Sequence, residues 1–195
     1  MADAGRVIAG TARGVRLAAP GPGTRPLADR VKQTLFAVLE PDLEGAAVLD
    51  LFAGSGAGGI EALSRGAARA VFVEKDGGAA RVIAENLRRA AVGDRGHVVR
   101  REAAAWLADP AGAATAAPFD VVLVDPPYAD TDALVHVLAL VGSWLAPGGV
   151  VVAKHFWRDA PPAEVGLLAS VRERRFGETA LTFYRRRGSV EADES

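Results

Sequence analysis

The four residues Asp125-Pro126-Pro127-Tyr128 directly follow an apolar, β-branched run at residues 121–124, which is typical of a buried parallel strand. The Asp125 carboxylate and the Pro126 carbonyl can both accept hydrogen bonds from an amino group. The two prolines stiffen the loop and leave its carbonyls free of competing local N–H donors. The Tyr128 ring offers a flat surface for stacking. This combination predicts a site for a planar molecule that carries an amine.

The exocyclic amine of a nucleobase is a poor nucleophile because its lone pair is delocalised into the ring. Acceptors beside its N–H bonds favour the pyramidal amine and the positive charge that develops when the nitrogen attacks a methyl carbon. Stacking on Tyr128 would hold the base during this step. Asp125, Pro126, Pro127 and Tyr128 are therefore the predicted catalytic residues. The alternative interpretation is that the Pro-Pro pair simply ends a strand.

A glycine-rich segment, DLFAGSGAGGIEAL, lies between a predicted strand and a predicted helix. Gly54, Gly56 and Gly59 have G-x-G-x-x-G spacing, which allows a tight turn and brings a ligand close to the backbone and to the N-terminus of the helix. Phe52, in the same segment, is included among the predicted cofactor contacts. The pattern indicates a nucleotide-type ligand without identifying it.

Asp50 distinguishes between two such ligands. In a dinucleotide site its carboxylate would face the negatively charged pyrophosphate. S-adenosylmethionine has no phosphate, and its amine and sulfonium would be favoured by a nearby carboxylate by ~1 kcal/mol or more. Asp50 therefore favours S-adenosylmethionine over NAD. Alternatively, Asp50 binds the N–H groups of its own loop.

Two further acids complete the predicted cofactor site. Glu74 ends the next predicted strand, where it could accept hydrogen bonds from ribose hydroxyls, and Asp76 is its rival for this role. Glu102 ends the third strand and could bind the amine of adenine, with the Ala103 N–H beside it. A helix N-cap role for Glu102 is the alternative.

The elements that must position these residues follow an alternating order. From Ala47 onward, β-branched runs alternate with helical patterns, which predicts parallel strands joined by helical crossovers. The clearest helix, at residues 79–91, has apolar residues with a period of 3.6. In an open α/β sheet, ligands bind beyond the carboxyl ends of the strands. The glycine segment and the DPPY motif are therefore expected at one site.

Two hairpins are predicted outside this alternation. Residues 6–17 form the first, with its turn near Ala12 to Gly14, and a helix at residues 28–40 follows it. LLASVRERRF and TALTFYRRR form the second, at one edge of the sheet, with Gly177 and Glu178 as turn residues. The arginines of this second hairpin either extend a nucleic-acid-binding face or are simply solvated.

Composition excludes several kinds of chemistry. The chain has 195 residues, 50% of them hydrophobic, which is enough for one domain with a sizeable core. It has no cysteine, which excludes disulfides, thiolate-bound metals and cysteine nucleophiles. His97, His136 and His155 lack metal-ligand spacing, so no metal is predicted. With no signal peptide and no long apolar run, a soluble cytoplasmic protein is expected.

Basic groups are concentrated near the N-terminus, although the net charge of the chain is −1. Residues 1–33 hold six basic groups against two acids. A basic arm of this kind suits contact with a polyanion. The predicted RNA-binding residues are Arg6, Arg13, Arg16, Arg25, Arg30 and Lys32. The alternative is a solvated, flexible N-terminus.

Over residues 6–185 the chain resembles the bacterial methyltransferases that modify N2 of a guanine in 16S ribosomal RNA. The resemblance is carried by DLFAGSGAGGIEALSRGA, by DPPY, and by Thr24-Arg25-Pro26 with Asp29-Arg30-Val31. It implies an α/β fold of the Rossmann-like class I methyltransferase type. That fold has a seven-stranded, mostly parallel sheet with helices on both faces, an antiparallel strand near one edge and a small N-terminal β-hairpin extension.

The resemblance also implies S-adenosylmethionine as cofactor and 16S rRNA, in an assembling or assembled small ribosomal subunit, as the partner of a monomeric enzyme. The implied division is a basic extension at residues 1–30, a methyltransferase domain at 31–187 and a disordered tail at 188–195. Two alternatives stay open. One is an adenine-N6 methyltransferase acting on DNA or RNA, and the other is a ribosome-assembly factor that binds RNA without catalysis.

Five positions depart from the pattern of the family. Leu27 stands where a threonine is usual, Gly58 replaces a larger apolar residue, and Glu102 replaces an aspartate. Lys154 and His155 stand where an acid is expected. We expect none of these changes to touch the reaction centre.

Overall fold

The computed structural model describes residues 3–21, 29–109, 118–128 and 130–188 of the chain. The chain divides into two compact units, Met1–Ala103 and Ala104–Ser195. The predicted division into a basic extension, a methyltransferase domain and a tail stays a prediction. Leu27, Arg25 and the predicted tail from residue 189 lie outside the described residues.

The first unit opens with the predicted N-terminal hairpin, which is confirmed. Strands β1 (Asp3–Arg6) and β2 (Arg16–Ala18) pair antiparallel. Their connection turns at residues 11–14, and the Gly14 N–H donates to the Val7 carbonyl at 2.8 Å. The predicted helix follows as α1 (Asp29–Leu39), which buries one side against the unit.

The remaining elements of this unit form a three-stranded parallel sheet with the strand order β5-β4-β3. Its strands and crossover helices are β3 (Ala47–Leu51), α2 (Ala57–Ser64), β4 (Arg69–Val73), α3 (Gly77–Arg89) and β5 (Gly96–Val99). Helix α3 begins where Asp76 caps it, since its carboxylate accepts the Ala79 N–H at 2.7 Å. Ala79, Ile83 and Leu87 are buried along the helix, which confirms the 3.6-residue period.

Helix α2 holds the hairpin through a buried acid. Glu61, with 0% exposure, accepts the N–H groups of Ile8 and Ala9 at 2.7 and 3.0 Å. Its Oε1 also accepts Arg65 Nε at 2.8 Å, so the buried charge is paired. The hairpin is therefore fixed to the helix that follows the glycine loop.

Helix α3 holds the other strand of the hairpin through Asn86, which is 0% exposed. Its Oδ1 accepts the Ala18 N–H at 2.8 Å, and its Nδ2 donates to the Ala18 carbonyl at 2.9 Å. The same Nδ2 donates to the Ser55 carbonyl at 2.9 Å. One amide group thus connects β2 to the glycine loop.

The second unit holds a five-stranded mixed sheet with the strand order β6-β7-β10-β9-β8. Its elements are α4 (Ala103–Leu107), β6 (Phe119–Val124), α5 (Thr131–Val141), β7 (Leu145–Phe156), β8 (Glu164–Val165), β9 (Leu168–Phe176) and β10 (Thr179–Arg186). Strands β6 and β7 are parallel, and β10 lies antiparallel between β7 and β9. The predicted C-terminal hairpin is therefore confirmed, as is the antiparallel strand near one edge.

The predicted number of seven strands is wrong by one. In the described residues the two units contribute three and five strands to these sheets, a total of eight. The additional strand, β8, has two residues, which pair with Ala169 and Leu168. A segment this short has no periodicity that a sequence pattern could reveal. No helix in the described part of the chain is long and apolar enough to cross a membrane.

Candidate active site

The glycine loop that follows β3 depends on glycine at two positions. Gly56 has a φ of 76°, in the left-handed region, and an added Cβ would lie 3.0 Å from Ile83 Cγ2. An added Cβ at Gly59 would lie 2.4 Å from the Phe72 ring. The backbone therefore packs against α3 at Gly56 and against β4 at Gly59, which lies in α2, with no space for a side chain at either position. Phe52, half-buried, also has a positive φ, of 58°.

Asp50 is buried, with 4% exposure, and its Oδ2 accepts the Gly59 N–H at 2.8 Å. This contact is the loop-binding role that the sequence left open as an alternative. It fixes the start of α2 relative to β3. Contact between Asp50 and a cofactor stays a prediction.

Glu74 follows β4 and also supports the loop. Its Oε2 accepts the Gly54 N–H at 2.8 Å, and its Oε1 accepts the Asp76 N–H at 2.9 Å. Asp76 itself caps α3, and the assignment of the ribose hydroxyls to Glu74 stays a prediction. A carboxylate has about four acceptor positions, so Glu74 can keep these bonds and still accept a ligand hydroxyl.

The third predicted pair lies at the start of α4. Glu102 is exposed and immediately precedes the helix, whereas Ala103 is its first residue and is 4% exposed. The first N–H groups of a helix have no partner within it, so the Ala103 N–H is in the position to serve a ligand. The cofactor roles of both residues stay predictions.

These groups fit S-adenosylmethionine by their chemistry. Asp50, Glu74 and Glu102 lie at or after the ends of three neighbouring parallel strands, β3, β4 and β5. Carboxylates suit an amine, a sulfonium and hydroxyl groups, and they oppose the pyrophosphate of a dinucleotide. The described residues contain no group of side chains that could hold a metal ion.

In the second unit, Asp125 follows β6 and is paired with Lys154 of β7. Lys154 Nζ lies 2.6 Å from Oδ1 and 2.9 Å from Oδ2 of Asp125. Lys154 therefore contacts a predicted catalytic residue, contrary to the expectation that it lies away from the predicted reaction centre. The reason is the parallel register, in which Val124 is opposite Ala153, so that the next residues are also neighbours.

The charge state of Asp125 depends on two opposing effects. Burial raises the pKa of Asp125 above its ordinary value, and the charge and hydrogen bond of Lys154 oppose that rise. Because 37% of the Asp125 side chain stays exposed, water also moderates the effect of burial. We assign the pair as carboxylate and ammonium, since an ammonium at 2.6 Å favours the charged acid.

Tyr128 is fixed at its hydroxyl and lies beside the same lysine. Its OH is 2.6 Å from Oγ1 of Thr179, at the start of β10. Lys154 Nζ lies 5.1 Å from the centroid of its ring, within the range of a cation–π interaction. The ring is half-buried, so part of it stays accessible for stacking.

The two prolines differ in exposure and in the use of their carbonyls. Pro126 is buried and Pro127 is exposed. The Asp130 N–H donates to the Pro127 carbonyl at 2.9 Å, so the expectation that both carbonyls lack local donors is wrong for Pro127. Asp130 also caps α5 by accepting the Ala133 N–H at 3.2 Å. The DPPY loop is thus fixed directly to the helix that follows it.

His155 faces away from these groups. It is 2% exposed, and its ring nitrogens lie 2.8 Å from the Phe156 carbonyl and 2.8 Å from Thr182 Oγ1. Both nitrogens are therefore used inside the sheet. This contact gives His155 a structural role.

The predicted basic arm is partly neutralised. Arg6 Nε lies 3.3 Å from Asp29 Oδ2, and Arg16 Nη1 lies 2.8 Å from Asp3 Oδ2. All four side chains are exposed, so these pairs are weak and can exchange for phosphates. Arg13 and Arg30 are also exposed, and their RNA contacts stay predictions.

The structure does not support the predicted RNA contact of Lys32. It is 1% exposed, and its Nζ donates to the Arg6 carbonyl at 2.5 Å. Burial lowers the pKa of Lys32, and the negative charge of Glu61 opposes this effect. A side chain so enclosed supports the hairpin and does not reach an RNA phosphate in this structure.

The fold and the site together define a class I methyltransferase, through the parallel strands, the glycine loop after β3, the acid after β4 and the DPPY loop. The methyl donor of this class is S-adenosylmethionine. The chain matches the family described as Conserved hypothetical protein 95 over residues 5–185. It belongs to this family.

Several relatives are similar over most of their length. Ribosomal RNA small subunit methyltransferase D of Escherichia coli K12 is 35% identical over 191 residues, which cover 96% of this chain and 93% of that protein. The protein of the same name from Haemophilus influenzae is 36% identical over 149 residues, covering 75% of this chain and 76% of that protein. The solved structure of Escherichia coli yhhF, described as a candidate methyltransferase, has a TM-score of 0.78 at 36% identity and covers 93% of this chain and 97% of that one.

Proposed function

We propose that this protein transfers a methyl group from S-adenosylmethionine to the exocyclic N2 of a guanine in 16S ribosomal RNA. The observation that carries the proposal is the DPPY loop, in which a carboxylate and a half-buried ring are held beside each other after β6. The relative named ribosomal RNA small subunit methyltransferase D supports the choice of substrate.

The reaction needs an acceptor for the hydrogens of the amine. The Asp125 carboxylate accepts a hydrogen bond from one N–H group of the amine, and the Pro126 carbonyl accepts a hydrogen bond from the other. Both bonds favour the pyramidal nitrogen. The N2 lone pair would attack the methyl carbon as the carbon–sulfur bond breaks, and the N–H group held by Asp125 would then give its proton to that carboxylate, which removes the positive charge on nitrogen. S-adenosylmethionine, when bound, supplies an electrophilic methyl carbon whose bonding electrons leave with sulfur.

Tyr128 positions the base. Stacking on its ring orients the guanine, and the bond between its hydroxyl and Thr179 keeps the ring in place. A guanine in an unpaired loop is easier to bind this way than one in a duplex, because it has less stacking and pairing to lose.

Lys154 is a positioning residue in this scheme. Its ammonium holds both oxygens of Asp125 and therefore fixes the direction in which the carboxylate accepts the amine. It also favours the charged carboxylate, which is the better acceptor.

The first unit would hold the cofactor. We assign the ribose hydroxyls to Glu74, the adenine amine to Glu102 with the Ala103 N–H, and the backbone approach to Gly54 and Gly56. Asp50, already bonded to Gly59, contributes its charge. An rRNA substrate implies a cytoplasmic enzyme, which we expect to act as a monomer on the small ribosomal subunit.

An acceptor survey tests this function. The protein is incubated with methyl-labelled S-adenosylmethionine and, in parallel, with small ribosomal subunits from cells that lack the enzyme, naked 16S rRNA, and duplex DNA. We expect label in the subunits or the rRNA and none in DNA. Label in DNA would indicate the adenine-N6 alternative, and no transfer to any acceptor would favour a binding protein without catalysis.

A further inference from the structure

The register of the second sheet identifies the residues that share a face with the DPPY loop. Residues directly opposite each other on neighbouring strands point to the same side. Lys154 of β7 is opposite Leu181 of β10, which is opposite Arg174 of β9. Since Lys154 contacts Asp125, Arg174 lies on the same face as the predicted base-binding residues.

Two neighbouring pairs of opposite residues place further residues of β9 on this same face. Phe176 is opposite Thr179, which contacts Tyr128. Arg172 is opposite Phe183, two residues from Leu181 on the same strand. Arg172, Arg174 and Phe176 therefore line one face of β9, and we call these three residues the β9 strip. Strands in a sheet lie about 5 Å apart, so the backbone of the strip is about 10 Å from that of Lys154.

The two arginines of the strip are available for a ligand. Both are exposed. Within the described residues, the Arg172 side chain has no hydrogen-bond or ion-pair partner, and the Arg174 side chain donates only to the carbonyl of its neighbour Glu173, at 3.2 Å. Arg6 and Arg16 of the N-terminal arm, by contrast, already face acids.

The opposite face of the same strand provides a comparison. Arg175 lies opposite Ala180, and its guanidinium carbon is 3.6 Å from the centroid of the Trp157 ring. Its Nε donates to the Gly177 carbonyl at 2.9 Å. The arginine on the far face is therefore committed to contacts within the unit.

Strand β8 pairs only with Leu168 and Ala169 of β9, so the rest of β9 forms an exposed edge of the sheet. Charged residues on such an edge also protect it from pairing with another chain. Charges of either sign, on either face of the strand, would be enough to protect the edge. Edge protection does not account for two uncommitted arginines and a half-buried ring aligned on the DPPY side.

We propose that the β9 strip binds the single-stranded RNA that flanks the target guanine. Arg172 and Arg174 contact backbone phosphates, and Phe176 stacks with a neighbouring base, the combination that binds single strands without reading their sequence. This inference rests on the proposed function, since RNA is the partner. It assigns the strip a positioning role and leaves the chemistry to the DPPY loop.

The test compares three variants with the wild type for binding to naked 16S rRNA at several salt concentrations. Each phosphate contact to a single strand contributes about 0.7 to the slope of log affinity against log salt. Arg172→Ala/Arg174→Ala should therefore lower the slope by about 1.4. Arg172→Lys/Arg174→Lys keeps the charge and should retain the slope. Arg175→Ala, the matched control on the opposite face, should also retain it.

An unchanged slope in the double alanine variant, with melting temperature and S-adenosylhomocysteine affinity like the wild type, would overturn the inference. An equal loss in Arg175→Ala would also overturn it, because the effect would then be one of net charge. A defect on assembled subunits but not on naked rRNA would identify a protein partner instead. The proposed function fails separately, if the wild type itself transfers no methyl group to 16S rRNA.

Discussion

Lys154 Nζ lies 2.6 Å from Oδ1 of Asp125, so the carboxylate expected to bind the substrate amine already has a cationic partner. Such a pair keeps the acid charged in a partly desolvated site. The contact with Lys154 also fixes the orientation of the carboxylate before the substrate binds. The behaviour of this pair with pH is therefore a sensitive test of the site.

Lys154→Met should shift the acidic limb of the pH profile of kcat to higher pH. The ammonium opposes the burial that raises the pKa of Asp125, so its removal lets that pKa rise further. The carboxylate is then protonated, and the acceptor lost, at a higher pH than in the wild type. Lys154→Arg keeps the charge and should keep the profile. An unshifted profile in the methionine variant, with unchanged affinity for S-adenosylhomocysteine, would mean that the pair has no part in the reaction.

Tyr128→Ala should raise KM for RNA much more than Tyr128→Phe. Stacking of a base on an aromatic ring contributes about 1–3 kcal/mol, and the alanine variant loses all of it. The phenylalanine variant loses only the contact with Thr179 Oγ1, as Thr179→Val also does. Equal KM values for the alanine and phenylalanine variants would show that the ring does not stack on the substrate.

Several features of the fold could be predicted from the sequence because each depends on residues that are close together along the chain. The alternation of strands and helices, the period of α3 and both hairpins were predicted from spacing and turn residues. In α1, Lys32 shares helical spacing with Leu35, Phe36 and Leu39, so its burial had a signal that its charge obscured.

Other features depend on partners distant in sequence. The pairing of Lys154 with Asp125 needs the register of two strands, which a pattern along one strand does not contain. The role of Asn86 needs the position of β2, which the pattern along α3 does not contain. The two-residue β8 exists only because β9 lies beside it.

Asn86→Ala should destabilise the protein by about 2–4 kcal/mol, because it leaves buried backbone groups without a partner. These groups are the N–H and carbonyl of Ala18 and the carbonyl of Ser55. Since Ser55 lies in the glycine loop, affinity for S-adenosylhomocysteine should fall as well. Arg88→Ala, on the exposed side of the same helix, should stay within about 0.5 kcal/mol of the wild type. Chemical denaturation and titration calorimetry measure both effects, and a stable Asn86→Ala protein would contradict the proposed link.

Arg13→Ala/Arg16→Ala should weaken RNA binding and flatten its salt dependence, with cofactor affinity unchanged. Both side chains are exposed on the hairpin, and Arg16 can exchange Asp3 for a phosphate. The slope should fall by about 0.7 for each phosphate contact that is lost. If the variant binds and methylates subunits like the wild type at physiological salt, the N-terminal arm does not contact RNA.

The identity of the methylated nucleoside tests the proposed reaction most directly. Small ribosomal subunits are incubated with methyl-labelled S-adenosylmethionine and either the wild type or Asp125→Ala, and the RNA is digested to nucleosides and separated. We predict that the wild type places the label in N2-methylguanosine of 16S rRNA. Asp125→Ala should do so roughly 100- to 1,000-fold more slowly, with unchanged RNA binding. Label in N6-methyladenosine, or transfer by Asp125→Ala at the wild-type rate, would contradict the proposed reaction.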